Sequence, residues 1–309
     1  MSVHLPTVKQ LQYLVALRQH GHFGRAAESC FVTQSTLSAG LREIENLLGV
    51  TLVERTRRVV RFTPLGTRIA DKAVRVLRES EELTDLARAE GQPLTGELRM
   101  GVIPTIAPFL LPAMLPKLRE QWPKLKLFLR EETSNAACDA LHRGQLDCVL
   151  LAIPFACGDV ERAPLFDDRL FVVFPRGEAP PEPVIEPGNI DEDRLLMLED
   201  GHCLKDHALS ACNRPELRAE AAMMGTSLHT LVQMVDNGLG LTFVPAMAIE
   251  AGILSGTRVD ARPLKSEHGF RTVALIWRRS SPREQEFQIL ATTLRKIARL
   301  VIPGLEAAG

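Results

Sequence analysis

Thr33-Gln34-Ser35-Thr36-Leu37-Ser38-Ala39-Gly40-Leu41-Arg42-Glu43-Ile44-Glu45-Asn46-Leu47-Leu48-Gly49 reads as one helix with two unlike faces. Leu37, Leu41, Ile44 and Leu48 fall at i, i+4, i+7 and i+11, an apolar stripe, and Gly49 supplies the stop. Ser35, Thr36, Ala39 and Arg42 lie opposite, all small or hydrogen-bonding. Upstream, Thr7 and Gln10 form a capping-box pattern ahead of Leu11, Leu14, Val15 and Leu17, Gly21 ends that helix, and Arg25-Ala26-Ala27-Glu28 reads as a short second one. Downstream, two β-like runs, Thr51 to Val53 and Val59 to Thr63, flank Glu54-Arg55-Thr56-Arg57-Arg58.

Three short helices followed by a basic two-stranded ribbon make a winged helix-turn-helix. A polar face on a surface helix is ordinarily just solvated. The ribbon changes the reading, because base readout and phosphate contacts are delivered together. Thr33, Gln34, Ser35, Thr36, Ser38 and Arg42 are therefore expected on the groove-facing side. Arg55, Arg57 and Arg58 are expected on phosphates, and the partner is double-stranded DNA. Charge agrees: residues 1–68 carry nine Lys/Arg against four Asp/Glu, while the remainder carries 28 against 34, so a net charge of −1 hides a basic head on an acidic body.

Thr63-Pro64 is a cap followed by proline at the first helical position. Ile69, Ala73, Val76, Ser80, Leu83 and Ala87 then alternate spacings of four and three, the seam of a coiled coil. Gly91-Gln92-Pro93 ends this dimerisation arm. From Glu97 strands alternate with helices: strands are expected near 97–103, 125–130, 146–153, 169–174, 195–198, 240–244 and 272–277, with a closing helix near 283–300. Cys148-Val149-Leu150-Leu151-Ala152 suits a parallel strand covered on both faces. The expected division is a DNA-binding domain over 1–63, a linker helix and hinge over 64–92, and an α/β regulatory domain over 93–309. That last domain splits into one subdomain of about 93–167 and 271–303 and another of about 168–270, with an effector in the cleft.

At 309 residues, 45% hydrophobic and 24% charged, the chain is globular in composition. The most apolar run, Val102 to Pro116, carries Pro104, Pro108, Pro112 and Pro116, so no membrane span, no membrane partner and no secretory signal are expected. A cytoplasmic protein is expected, and six cysteines are too sparse for a disulfide scaffold there.

Phe23-Gly24-Arg25-Ala26-Ala27-Glu28, Thr33 to Ser38, Ile44-Glu45, Leu48-Gly49, Leu52-Val53-Glu54-Arg55 and Phe62-Thr63-Pro64-Leu65-Gly66 resemble the LysR-type transcriptional regulators, and the resemblance runs the length of the chain. It implies periplasmic-binding-protein-like subdomains and a homotetramer built as a dimer of dimers on an extended promoter site, with RNA polymerase as a further partner. It implies a regulator and not an enzyme, with no cofactor and no metal. Gly101-Val102-Ile103-Pro104-Thr105, Leu146-Asp147-Cys148 and Leu198-Glu199-Asp200-Gly201-His202-Cys203-Leu204-Lys205-Asp206-His207-Ala208 through Cys212 are similar to the hydrogen-peroxide-sensing members of that family. By that resemblance Cys203 is the peroxidatic cysteine, Cys212 the resolving one, and Thr105, Ser134, His202, Lys205, Asp206 and Arg271 surround the peroxide pocket. One departure stands out: a histidine expected shortly before Thr226-Ser227-Leu228 is Ala222 here.

The residues themselves add a constraint. Cys203 and Cys212 are nine apart, about 13 Å along an α-helix, whereas a disulfide needs Cα atoms about 4.4–6.8 Å apart. Bridging them must therefore refold a helical segment. Cys203 follows Gly201-His202 at a strand-to-helix turn with Lys205 and His207 nearby, a setting that lowers a thiol pKa. Cys30, Cys138, Cys148 and Cys157 read as small packing residues. Three rivals remain: a turning-over thiol peroxidase, a zinc-binding regulator using His202, Cys203, His207 and Cys212, and a LysR-type regulator answering a small organic effector with the cysteines incidental.

Overall fold

The structure, a computed structural model, describes residues 5–55, 60–89, 93–212, 223–301 and 306–307. The chain divides into two compact units, residues 1–91 with 143–145, and residues 92–142 with 146–309. In the first, α1 (Val8–His20), α2 (Phe23–Ser29) and α3 (Gln34–Leu48) precede a ribbon of β1 (Val53–Arg55) and β2 (Val60–Phe62). The Thr7–Gln10 capping box forms with both bonds made, and Gly21 ends α1 at φ 60°. Leu14, Leu17, Leu37, Leu41 and Ile44 share one core. Leu48 departs from its expected place, being 38% exposed at the last turn. Glu45 accepts the backbone N–H groups of Leu52 and Val53 at 2.9 and 3.1 Å, which ties the ribbon to α3. Glu54 and Arg55 extend β1 instead of belonging to the turn.

The long helix α4 (Pro64–Ala89) starts where Thr63 Oγ1 accepts the Gly66 N–H at 2.9 Å. A Cβ at Gly66 would collide with the Leu52 carbonyl, so only glycine lets α4 leave the ribbon this closely. Ile69 and Ala73 of the expected seam are drawn into the core against α1, and Arg18 reinforces that contact with bonds to Asp71 and the Thr67 carbonyl. Val76 and Leu83 stay 48% and 69% exposed.

The second unit opens with β3 (Gly96–Val102), α5 (Ala107–Gln121), β4 (Leu125–Glu131), α6 (Ser134–His142) and β5 (Cys148–Ile153). Next come β6 (Val160–Phe174), β7 (Leu196–Leu198), α7 (Cys203–Ala211), β8 (Met223–Gly225), α8 (Leu228–Asp236), β9 (Thr242–Pro245) and α9 (Ala246–Glu250). It closes with β10 (Asp260–Pro263), β11 (Phe270–Arg278), α10 (Glu284–Val301) and β12 (Glu306–Ala307). β3 pairs parallel with β4 and β5, and β5 pairs antiparallel with β11. The Cys148–Ala152 run is buried as expected, but only one of its neighbours is parallel.

β6 is the spine. Over Val160–Arg169 it pairs with β11, and over Leu170–Phe174 with β9 and β10. The sequence shows its second half as a strand; Arg162 and Asp167 to Arg169 break the apolar pattern of the first half. Among the described residues no helix is long and apolar enough to cross a membrane.

Candidate functional site

On α3 the Thr33 hydroxyl accepts the Thr36 N–H at 3.2 Å and lies 2.8 Å from both Ser35 Oγ and Thr36 Oγ1. Thr33, Gln34, Ser35, Thr36 and Arg42 are exposed and Ser38 is half-buried. Thr33 to Thr36 are presented at the start of the helix and Arg42 two turns further on, backed by the buried Leu37 and Leu41. Arg55 lies on β1, whereas Arg57 and Arg58 fall outside the described residues, as does Ala222.

In the second unit Gly201, at φ 96°, turns the chain from β7 into α7 and sets Cys203 at the helix's first position. The Cys203 N–H donates to Ser134 Oγ at 3.2 Å, leaving that hydroxyl's proton free for the sulfur. Across the same site Arg271 Nη1 donates to Thr105 Oγ1 at 2.7 Å and Nη2 to the Thr105 carbonyl at 2.9 Å. Nε and Nη2 of Arg271 also reach Asp168 Oδ2 at 3.1 and 3.0 Å, and the Met247 N–H donates to Asp168 Oδ1 at 2.9 Å. Arg271, Asp168, Ser134 and Thr105 are all buried. The structure thus brings Thr105, Ser134, Arg271 and Cys203 together around one charge network.

Two expectations change. Burial pushes the Cys203 thiol up from its ordinary value, against the opposing pull of the Arg271 guanidinium, the Ser134 hydroxyl and the Ala152 N–H. The sulfur is therefore a thiol at neutral pH in this state, not the standing thiolate its neighbours in sequence suggest. Nor is Lys205 the cation that acts on it: the Lys205 ammonium is turned to Asp200 at 2.7 Å, where it holds that exposed carboxyl below the usual range. Burial lowers the His202 imidazole, so its neutral form is favoured. Half-buried Asp206 opposes ionisation of Cys203.

Asp168 is the participant that sequence reading left out of the pocket; His207 was placed beside Cys203 only as a charge that lowers its pKa. Burial pushes the Asp168 carboxyl up while Arg271 and the Met247 N–H pull it down. Its signal was an acidic pair, Asp167-Asp168, inside an apolar strand. His207 Nε2 bonds the Pro154 carbonyl at 2.8 Å, and burial drops this imidazole to about 4. It is neutral at pH 7. Since the carbonyl can only accept, Nε2 carries the proton and Nδ1 is an acceptor, buried without a partner among the described residues.

Cys212 caps the far end of α7 and is buried and, like Cys203, not in a disulfide. Cys148 is also free and buried, its thiol pushed strongly up by desolvation. Cys138 and Cys157 correct the packing assignment: they are joined in a disulfide, with Cα atoms 5.5 Å apart. A sequence separation of 19 residues hid the pairing. The one hint was the position of Cys157, in the Pro154-to-Asp159 loop and not on a helix or strand. Among the described residues no group of three or more His, Cys, Asp or Glu stands together as metal ligands do.

A winged helix-turn-helix head followed by an α/β regulatory domain defines a class of DNA-binding transcriptional regulator. Residues 8–67 match the bacterial regulatory helix-turn-helix proteins of the lysR family, and residues 91–299 match the LysR substrate binding domain. The chain belongs to the LysR family of bacterial transcriptional regulators. It is 41% identical to the HTH-type transcriptional regulator EstR of Acinetobacter baylyi, covering 95% of this chain and 97% of that one. It is 38% identical to the hydrogen peroxide-inducible genes activator of Escherichia coli O157:H7, covering 93% and 94%. A cysteine-to-aspartate form of full-length OxyR from Pseudomonas aeruginosa superposes with a TM-score of 0.77 at 35% identity, covering 94% of this chain and 98% of that one.

Proposed function

We propose that this chain is a peroxide-sensing transcriptional regulator of the OxyR type, acting in the cytoplasm through a reversible Cys203–Cys212 disulfide. One observation carries the reading. Two buried cysteines outside any disulfide bracket α7, and the first, though burial keeps its proton on, meets a guanidinium, a hydroxyl and a backbone N–H that favour its anion. Peroxide entering beside Thr105 and Ser134 finds hydroxyls able to donate and accept. Cys203 Sγ attacks one peroxide oxygen, the O–O bond breaks, and the sulfur becomes sulfenic acid while the other oxygen leaves as water. Cys212 then displaces that hydroxyl, forming the disulfide and releasing a second water. His202 and Asp206 flank the reacting sulfur in sequence, and Lys205 holds the turn before it through Asp200.

The bond needs its Cα atoms about 5.5 Å apart, against about 13 Å along an intact α7, so the helix must give way. Closing this loop confers about 2–3 kcal/mol, enough to shift a two-state equilibrium about a hundredfold. Subunits paired in a tetramer would then present their DNA-binding heads at a new spacing, changing the promoter footprint and the meeting with RNA polymerase. Thr33, Gln34, Ser35, Thr36, Ser38 and Arg42 would face the groove, with Arg55, Arg57 and Arg58 on phosphates. The sulfur acts once per signal and is not a turning-over peroxidase.

Peptide mass mapping before and after sub-stoichiometric peroxide should reveal a Cys203–Cys212 link, and Cys203→Ser should abolish the promoter response. No link, together with unchanged output from Cys203→Ser, would favour a small organic effector in the cleft.

A further inference from the structure

We propose that Cys138 and Cys157 form a second redox couple, a disulfide that a dithiol opens and its oxidised form recloses, whose state sets how firmly the Cys203 site is held. The bond joins the two elements that grip α7. Cys138 is one helical turn along α6 from Ser134, whose hydroxyl accepts the Cys203 N–H at 3.2 Å. Cys157 lies three residues beyond Pro154, whose carbonyl receives His207 Nε2 at 2.8 Å. Cys203 and His207 stand four apart on α7, hence on the same face.

A closed circuit results. It runs from Cys203 through Ser134 and α6 to Cys138, across the S–S bond to Cys157, back through Pro154 to His207, and along one turn of α7. Opening the disulfide breaks this circuit at a covalent link and leaves the His142 Nε2 bond to the Cys157 carbonyl, 2.6 Å, tying α6 to the loop. Both cysteines are only 6% exposed, but Cys157 sits between exposed Ala156 and exposed Gly158 and Asp159, so a small displacement of this loop uncovers the bond. A cytoplasmic disulfide meets a reducing pool of thiols, so one this close to the surface is open to exchange.

The exchange balances. A thiolate of the dithiol attacks Cys157 Sγ, the S–S bond breaks, and Cys138 leaves as thiolate and takes up a proton. The reagent's second thiol then displaces Cys157, which is protonated in turn, and the reagent departs as its own disulfide. Two electrons pass to the protein, and the reverse run restores the bond. That the couple acts on peroxide signalling rests on the proposed role of Cys203; the couple itself does not.

The test uses the full-length chain with Cys212→Ser, so that Cys203 cannot form its own disulfide, equilibrated across ratios of reduced to oxidised dithiothreitol. Differential alkylation with peptide mass mapping should show Cys138 and Cys157 gaining and losing label together while circular dichroism stays native. With the pair reduced, Cys203 should react with iodoacetamide about tenfold faster, what losing one hydrogen bond's worth of positioning gives, and reoxidation should restore the slow rate. Cys138→Ser or Cys157→Ser should show the fast rate at every ratio; if either fails to fold, the reduced state of the parent carries the same comparison. A pair that stays bridged, or stays free, at every ratio overturns the couple, and an unchanged Cys203 rate overturns the coupling. A Cys203 that follows the couple toward iodoacetamide yet ignores hydrogen peroxide supports this inference while refuting the peroxide reading.

Discussion

Cys203 is held between two opposed influences, a dry setting that keeps its proton on and a guanidinium, a hydroxyl and an amide that favour taking it off. Because only the thiolate is nucleophilic, its oxidation by peroxide should rise about tenfold per pH unit through neutrality and continue above pH 8. A stopped-flow pH profile that is already flat by pH 7 would mean that the sulfur is ionised there. His207 sets a second pH dependence. Its folded-state value of about 4 lies below the ordinary 6.5, so the unfolded chain binds the extra proton between them. Stability from keeping this ring neutral is complete above about pH 6.5 and is lost as pH falls toward 4, roughly 3 kcal/mol in all. His207→Gln should remove that slope, so urea unfolding of wild type and variant should converge by about this much between pH 7 and pH 4. Parallel curves would place His207 outside the linkage. Thr105, Ser134 and Arg271 were legible because the chain resembles a known family at those positions. Asp168 was not, since its partner Arg271 lies 103 residues away and only cross-strand register brings them together.

Among the elements, α4 was read correctly in extent and only partly in use. Period alone cannot tell which apolar residues a helix keeps for its own domain and which it offers to another copy. Here the buried Ala70 and Ala73 are taken by the domain, and Val76 and Leu83 are left facing outward. If that remainder is the dimerisation seam, Leu83→Lys should cost several kcal/mol of association, because an unpaired ammonium would be desolvated. Light scattering at low concentration should then find a smaller species; a variant that associates as wild type does would remove α4 from the interface. The strands β8 and β10 escaped sequence reading, being three and four residues long with no alternation of their own to display. The first half of β6 escaped for a different reason: Asp167 and Asp168 bond partners within the fold while Arg162 and Arg169 face solvent, so no clean alternation shows.

For the whole molecule, the basic head and acidic body divide the labour with DNA. Arg57→Ala should weaken binding to all sequences alike and flatten the slope of log affinity against log salt by about one, as losing one phosphate contact does. Arg42→Ala should instead change the ranking of sequences. Filter-binding titrations at several salt concentrations separate the two, and an unaltered slope for Arg57→Ala would take it off the phosphates. Within the second unit, the proposed signal from Cys203 meets β6 through Arg271. That strand is clamped along its first ten residues by β11, with β12 added at Phe166 and Asp167, and along its last five by two others, with Asp168, partnered in register by Arg271, beside the changeover. A rod gripped at both ends works as an axle: twisting one half of β6 applies torque to the other. The charge pair is a key cut into that axle, tying its turn to β11 through Arg271.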